Sequence, residues 1–157
     1  MVLVELAVVS WIDVKIKKIS NLWFFLNLFL GVTLHFFYPD FYVWEWATLL
    51  FPMGFIFGGF VLFLLSIMGA GDSKFLAALF LLIPLEQQAL MFEQLIYTTL
   101  FVGCGLLTVK IARDFKIIKA YALSAYWSGL KASLKSSFSF APVIFLAWIL
   151  LGVKLWM

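Results

Sequence analysis

Long apolar runs separated by short polar links make up most of the sequence, and this pattern predicts helices that cross a membrane. The runs are continuous rather than alternating, which is typical of transmembrane helices and not of β-barrel strands. A helical span needs about 20 mainly apolar residues. We therefore predict an all-α polytopic membrane protein with one domain over residues 1–157, a bundle of six transmembrane helices at about residues 2–15, 22–37, 46–68, 72–85, 95–111 and 138–156.

Two of the six runs are short for a membrane span, and each is bordered by an aspartate. The first apolar run, 2–12, has to continue through Asp13 toward Lys15 to approach membrane thickness. The fourth run, 75–85, reaches a plausible length only if its helix begins near Asp72. A polar link from Glu86 to Glu93 then separates it from the fifth span. Both aspartates are thus expected at helix ends.

Small residues within the spans are interpreted as packing positions. Gly54, Gly58 and Gly59 are expected to allow close helix contact, and Gly54 and Gly58 have the Gly-xxx-Gly spacing that is typical of contact between membrane helices. Cys104, which lies between two glycines, is interpreted as a small packing residue.

A different pattern follows the fifth span. Residues 110–137 are basic and amphipathic, and apolar side chains recur there at helical spacing. This pattern predicts an amphipathic helix on the membrane surface, where each charge attracts anionic lipid headgroups by about 1 kcal/mol. The apolar stripe consists of Leu123, Trp127, Leu130 and Leu134, with Lys131 and Lys135 beside it.

The composition supports a membrane protein and excludes a soluble globular one. The chain is 66% hydrophobic and only 12% charged, whereas a soluble domain is about 25% charged. The single cysteine, Cys104, excludes an intrachain disulfide and a metal site built from cysteines. We expect neither a metal nor another cofactor, and we expect membrane lipid rather than nucleic acid as a partner.

The basic residues predict the orientation, because cytoplasmic loops carry an excess of lysine and arginine. Ten of the 11 basic residues follow the first, third or fifth span, and only Lys154 falls on the opposite side. We therefore expect a multi-pass protein of the inner membrane with both termini on the outer side. The ten residues are Lys15, Lys17, Lys18, Lys74, Lys110, Arg113, Lys116, Lys119, Lys131 and Lys135.

Asp13 and Asp72 stand apart from the other six acidic residues. The predicted topology places both at cytoplasmic helix ends, and an ionisable group near hydrocarbon indicates a functional site by default. Gly69 and Gly71 precede Asp72 and permit backbone angles and close approaches that a side chain would block. Two neighbouring aspartates do not both ionise readily, so they share a proton, which suits the chemistry of an aspartic protease.

The same residues also have structural interpretations, which the sequence leaves open. Asp72 could cap the N-terminus of the fourth helix, and Asn21 could cap the second. Asp13 could pair with Lys17, four residues later on the same helix face. Lys74 could orient the carboxylate pair, or it could only follow the positive-inside bias.

Two further polar side chains lie within the apolar runs. His35 has no second histidine or carboxylate near it in sequence, so we interpret it as an interfacial residue. Glu5 interrupts the first run close to the outer interface, and the sequence does not assign it a role.

Two segments resemble those of one known family. Residues 69–74, Gly-Ala-Gly-Asp-Ser-Lys, resemble the GxGDxK signature of the type IV prepilin peptidases, which are GxGD-type intramembrane aspartic proteases. Residues 13–21 are similar to the family's other motif, an aspartate followed by basic residues and an Ile-Pro-Asn ending, with Ser20 where proline is usual. The segment 140–142, Phe-Ala-Pro, is similar to a proline-containing stretch at the family's last helix, so the resemblance covers nearly the whole chain.

The resemblance implies that Asp13 and Asp72 are the catalytic pair. The implied substrate is a prepilin, cut on the cytoplasmic side of its hydrophobic helix after a short basic leader. Larger members of the family also carry a cysteine-rich zinc domain and methylate the new amino terminus. This chain has no Cys-x-x-Cys pair and resembles the short branch, so no methyltransferase activity is implied. Gly69, Gly71 and Lys74 are our candidates for supporting the pair or binding substrate.

Two alternatives from other functional classes use the same aspartates. In a small transporter, Asp13 and Asp72 would bind a cation or relay protons, as intramembrane acids often do. In a catalytically inactive scaffold, the chain would bind pilins without cutting them. Other intramembrane proteases are disfavoured, because the sequence has neither His-Glu-x-x-His nor Gly-x-Ser-x-Gly.

Overall fold

The computed structural model describes residues 2–65, 68–115 and 139–156, and within these ranges the regular structure is entirely helical. This result confirms the all-α prediction. A short 3₁₀ helix, Trp46–Leu49, leads directly into α3. The α-helices are α1 (Val2–Ile16), α2 (Asn21–Phe37), α3 (Leu50–Leu64), α4 (Ala70–Leu81), α5 (Leu85–Arg113) and α6 (Ala141–Trp156).

Helix α4 forms the centre of the bundle. Its residues from Phe75 onward, and the two that follow the helix to Ile83, are all buried. Helices α2 and α3 pack against α4, and α6 packs against α1 and α5. With 12 residues, α4 is about 18 Å long at 1.5 Å per residue, which is shorter than the roughly 30 Å hydrocarbon core. It therefore acts mainly as the core around which the longer helices are arranged.

The outer surface of the described bundle is strongly apolar. Large side chains such as Phe57, Phe101 and Trp46 are exposed, while the buried cluster holds α4 together with parts of α1, α5 and α6. Two helices, Trp46–Leu64 and Leu85–Arg113, are long and apolar enough to cross a membrane, and α2 and α6 are shorter apolar helices. Apolar surfaces of this extent are typical of contact with lipid. Six membrane crossings remain a prediction.

The expected polar link from Glu86 to Glu93 is wrong, because α5 already begins at Leu85. Pro84 occupies the N-cap position, and the glutamates and glutamines that follow are good helix formers, so polarity alone does not interrupt the helix. Two of these polar side chains also find partners. Glu93 pairs with Lys154 of α6 at 3.4 Å, and Gln88 is fully buried.

Gln88 joins three parts of the chain through one amide. Its Nε2 donates to the carbonyl oxygens of Thr48 at 3.3 Å, Phe80 at 3.0 Å and Ile83 at 3.2 Å. Thr48 belongs to the 3₁₀ helix, whereas Phe80 and Ile83 lie at the C-terminal end of α4. The amide therefore supplies a further donor at the end of α4, where the Phe80 carbonyl also accepts the Ile83 N–H at 3.3 Å.

The packing interpretation of the small residues is confirmed for Gly59 and wrong for Gly54, Gly58 and Cys104. Among the described residues, a Cβ atom at Gly54 or Gly58 would meet nothing within 4 Å, whereas a Cβ at Gly59 would overlap the side chain of Ser73. The α3–α4 contact therefore depends on Gly59, outside the Gly-xxx-Gly pair. Cys104 is exposed rather than packed.

One further expectation concerns the start of α2. Ser20, rather than Asn21, caps α2, and its Oγ accepts the Leu22 N–H at 3.3 Å.

The predicted surface helix at 110–137 falls mostly outside the described residues, as do the four apolar residues of its stripe and its two flanking lysines.

The helices bring different groups to the two ends of the bundle. Asp13 lies in the last part of α1, and Asp72 lies in the first turn of α4, so both occur at one end. The Glu93–Lys154 pair lies at the other end. His35 lies there as well; it is buried rather than interfacial, and its Nδ1 makes a 2.8 Å hydrogen bond with the Gly31 carbonyl.

We expect Gln88→Leu to lower the free energy of unfolding by about 1–3 kcal/mol, because the buried carbonyls lose a shared donor. Thermal unfolding in detergent measures the change. Gln87→Leu, at the half-buried neighbouring position, is the matched control and should change the stability much less. Equal stability of the two variants would show that the Gln88 amide does not hold the end of α4.

Candidate active site

Asp13 is a buried carboxylate, 3% exposed, at the end of the bundle where α6 begins. Its Oδ2 accepts the main-chain N–H of Ala141 at 3.1 Å. Its main-chain oxygen accepts the Ser139 hydroxyl at 3.0 Å and the Lys17 N–H at 2.7 Å. The Asp13 carboxylate is therefore fixed against the first residue of α6, which is 128 positions away in sequence.

The start of α6 explains this contact. The first N–H groups of a helix have no partner within the helix, and the helix dipole favours a negative charge there. Pro142, in the first turn, fixes a helical backbone and has no N–H of its own. Sequence reasoning missed the roles of Ser139 and Ala141. The available signal was Pro142, which marks a helix N-terminus that an acidic residue could complement.

Asp72 lies at the third position of α4, and the N-cap is Gly69. The expectation that Asp72 is the N-cap residue is therefore wrong. Its Oδ2 instead reaches back and accepts the Gly69 N–H at 3.2 Å, as the third residue of a capping box does. This bond fixes the carboxylate over the start of the helix.

Gly69 and Gly71 are needed for close approach and not for unusual backbone angles. A Cβ at Gly69 would lie 3.0 Å from Asp72 Oδ2, and a Cβ at Gly71 would lie 3.0 Å from the Ile19 carbonyl oxygen. None of the described glycines has a positive φ. The expectation of close approach is confirmed, and the expectation of special angles is wrong.

The turn after α1 brings its main chain against α4. Lys17 has φ 55°, in the left-handed region, and its N–H closes the last turn of α1 on Asp13. Ile19 is buried directly after this turn, and its carbonyl lies against Gly71. Lys17 is thus linked to Asp13 through main-chain atoms, and the Asp13 carboxylate binds Ala141.

The two aspartates are close enough to interact electrostatically. Asp72 lies outside both candidate membrane spans. Partial burial, together with the charge of Asp13, raises the pKa of the Asp72 carboxyl to about 6, although the Gly69 N–H opposes this shift. Near neutral pH, Asp72 can therefore both hold and release a proton, which a general acid or base requires.

Asp72 opens into an apolar cavity of about 690 Å³ between α3, α4 and α5. Aromatic side chains form much of its wall, and Gly69, Asp72 and Phe140 lie together at one end. Asp13 does not line the cavity, but Phe140 connects the two, because its neighbour Ala141 binds the Asp13 carboxylate. The arrangement suits an apolar molecule that presents a polar group to Asp72.

The remaining candidates lie elsewhere. Lys74 is exposed and lines a separate groove beside Phe57 and Phe60, so the structure does not place it in the Asp72 cavity. Glu5 is buried in the first turn of α1, and its carboxyl group interacts with the side chain of Asn27.

The structure shows no ready set of metal ligands in residues 2–65, 68–115 and 139–156. No group of three or more histidine, cysteine, aspartate or glutamate side chains converges there.

Comparison with protein families matches residues 1–111 to the type IV leader peptidase family. The match includes α1 to α4, both aspartates and most of α5, and it ends before α6. Comparisons with curated proteins and with solved structures found no match.

We expect Gly71→Ala to lower the free energy of unfolding by about 1–3 kcal/mol, because the new methyl group would press on a main-chain oxygen that cannot rotate away. Thermal unfolding in detergent measures the loss. Gly105→Ala is the matched control, since a Cβ there meets nothing within 4 Å. If both variants unfold at the temperature of the unmodified chain, the Ile19 contact is not tight.

Proposed function

Since the chain belongs to the type IV leader peptidase family, we propose that it is an aspartic endopeptidase that removes the basic leader of prepilin-like substrates. Asp13 and Asp72 are its catalytic pair. The observation that supports this proposal best is that the charge of Asp13 in α1 acts on the carboxyl group of Asp72 in α4, which lines an apolar cavity. Hydrolysis by such a pair requires one protonated and one ionised carboxyl group.

The two carboxylates would divide the work in peptide hydrolysis. The ionised carboxylate takes a proton from water, and the water oxygen attacks the scissile carbonyl carbon. The protonated carboxyl donates its proton to the carbonyl oxygen. When the tetrahedral intermediate collapses, the C–N bond breaks and the leaving nitrogen takes up the proton that came from water. The carboxylate that gave its proton to the carbonyl oxygen takes one back from a hydroxyl of the intermediate as the new C=O bond forms. Each carboxyl group thus gains and loses a proton over the two steps of the reaction.

The surroundings favour one distribution of the shared proton. The N-terminus of α6 is a favourable place for the negative charge of Asp13, through the Ala141 N–H. Asp72, with a pKa raised to about 6 by burial and the charge of Asp13, is the member that holds the proton in the free enzyme.

The proposed setting is the cytoplasmic membrane. Six crossings with both termini outside would place the end of the bundle with Asp13 and Asp72 at the cytoplasmic face, where the lysine-rich leader of a prepilin lies. The positive-inside distribution of basic residues supports this orientation. The single cysteine in residues 1–157 is too few for a cysteine-built zinc site within them, so the activity that we propose for these residues is peptide cleavage without methyl transfer.

We expect Asp13→Asn and Asp72→Asn each to abolish cleavage of a synthetic precursor with a basic leader, a glycine and a hydrophobic helix. An amide can neither take a proton from water nor donate one as a carboxylic acid does, so each variant should lose at least about a hundredfold in rate. Purified protein in lipid nanodiscs and mass spectrometry of the products provide the measurement.

Glu93→Gln is the matched control, because Glu93 is exposed and lies at the opposite end of the bundle. It should cleave at the normal rate. Retained cleavage in either aspartate variant would remove the paired mechanism, and no cleavage by the unmodified chain would favour a pilin-binding scaffold. Cation or proton flux in liposomes, lost in the same aspartate variants, would favour a transporter, for which buried Glu5 is a further candidate.

The proposed proton on Asp72 predicts a definite dependence on pH. As the pH rises through about 6, Asp72 loses the proton that the scissile carbonyl needs. We expect kcat/KM, which reports the free enzyme, to fall by about tenfold per pH unit above that value. Initial rates between about pH 5 and about pH 8 provide the measurement. A flat or rising profile in a range where the protein stays folded would contradict the assignment.

A further inference from the structure

One face of α3 forms a long side of the Asp72 cavity. Leu50, Gly54, Gly58 and Leu62 all line it, and they follow each other at intervals of four residues. Residues spaced in this way lie on one face of a helix. At 1.5 Å per residue, the face from Leu50 to Leu62 is about 18 Å long, or somewhat more than three helical turns. It leads toward the end of the cavity where Asp72 lies.

The two glycines in the middle of this face are not required by the fold of the described chain. A Cβ at either position would meet nothing within 4 Å, and neither glycine has a positive φ. Glycine inside a helix lowers stability relative to alanine. The two glycines leave open space along the cavity that bulkier residues would occupy.

The open space beside Gly54 and Gly58 suits an apolar occupant. Phe51, Phe55 and Phe92 line the same cavity, so contact with an apolar chain would remove much apolar surface from lipid or water. Asp72 is the ionisable group at the end of this surface. A molecule that reacts at Asp72 and continues into the bundle therefore has to run along α3.

We propose that the hydrophobic helix of the substrate lies along this face of α3 and places large side chains beside Gly54 and Gly58. This inference rests on the proposed peptidase function, because it assumes that a peptide bond is cut at Asp72. About three turns of the substrate helix fit the length of the face. Side chains spaced four residues apart on that helix would fill the two gaps and hold the bond at a fixed depth relative to Asp72.

Filling the gaps tests the inference directly. We expect Gly54→Leu and Gly58→Leu each to raise KM for the synthetic precursor by about tenfold or more, because the new side chain takes the place of the substrate's. The unfolding temperature should stay close to normal, since neither Cβ meets another atom within 4 Å. Gly103→Leu and Gly105→Leu are the matched controls, because those glycines also face open space and do not line the cavity.

A complementary change in the substrate distinguishes lost binding from general damage. Replacing the large residues of the precursor helix one at a time by alanine should restore cleavage by the Gly58→Leu enzyme at one position. A different position should restore the Gly54→Leu enzyme. Unchanged KM in both leucine variants would overturn the inference and would mean that lipid, or another part of this chain, occupies the cavity.

Crosslinking gives a second test that does not depend on a filled gap. In an Asp72→Asn protein that binds the precursor without cutting it, a photoreactive phenylalanine analogue at position 55 should crosslink to the precursor helix. The same analogue at position 57, where the native Phe57 is 69% exposed and outside the cavity, should not. Equal crosslinking at both positions would contradict the proposed path. The loss of cleavage in Asp72→Asn itself tests the peptidase function independently.

Discussion

The contact of the Ile19 carbonyl with Gly71 is the one on which the geometry of the site depends. A turn with left-handed Lys17 leads the chain from α1 to this point, and only a residue without a side chain lets the main chain lie against α4. Asp13 precedes this contact by six residues and Asp72 follows Gly71 directly. Two aspartates that are distant in sequence are therefore held at one end of the bundle, where burial, together with the charge of Asp13, raises the pKa of Asp72.

Burial of α4 makes this arrangement rigid and also gives it its chemistry. From Phe75 to Ile83 every residue is buried, so α4 cannot shift without disturbing the closely packed core. Its first turn is the exception, since Asp72 is only partly buried and opens into the cavity. The Asp72 carboxyl group is buried enough for its pKa to rise and exposed enough for a molecule in the cavity to reach it. An enzyme needs both properties in one general acid.

The sequence predicted the elements that have a strong local signal and missed those that depend on tertiary contact. Long apolar runs placed α1, α2 and α6 within a few residues of their observed ends, and the glycines near Asp72 correctly indicated close approach. The Asp13–Ala141 bond joins residues 128 positions apart, so no local pattern contains it. The Gly54 and Gly58 spacing was misleading for the opposite reason, because it has the pattern of a helix contact but faces empty space.

Ser20 departs from the motif that residues 13–21 resemble, and its backbone is one that the usual proline could adopt. The resemblance to prepilin peptidases has proline at this position, and proline fixes φ near about −65°. Ser20 has φ −71° and ψ 143°, so the serine adopts a backbone that proline would also adopt. Its hydroxyl accepts the Leu22 N–H and starts α2 at the same point. A hydrogen bond from the Leu22 N–H thus restrains the start of α2 in this chain, directly after Ile19, whose carbonyl lies against Gly71.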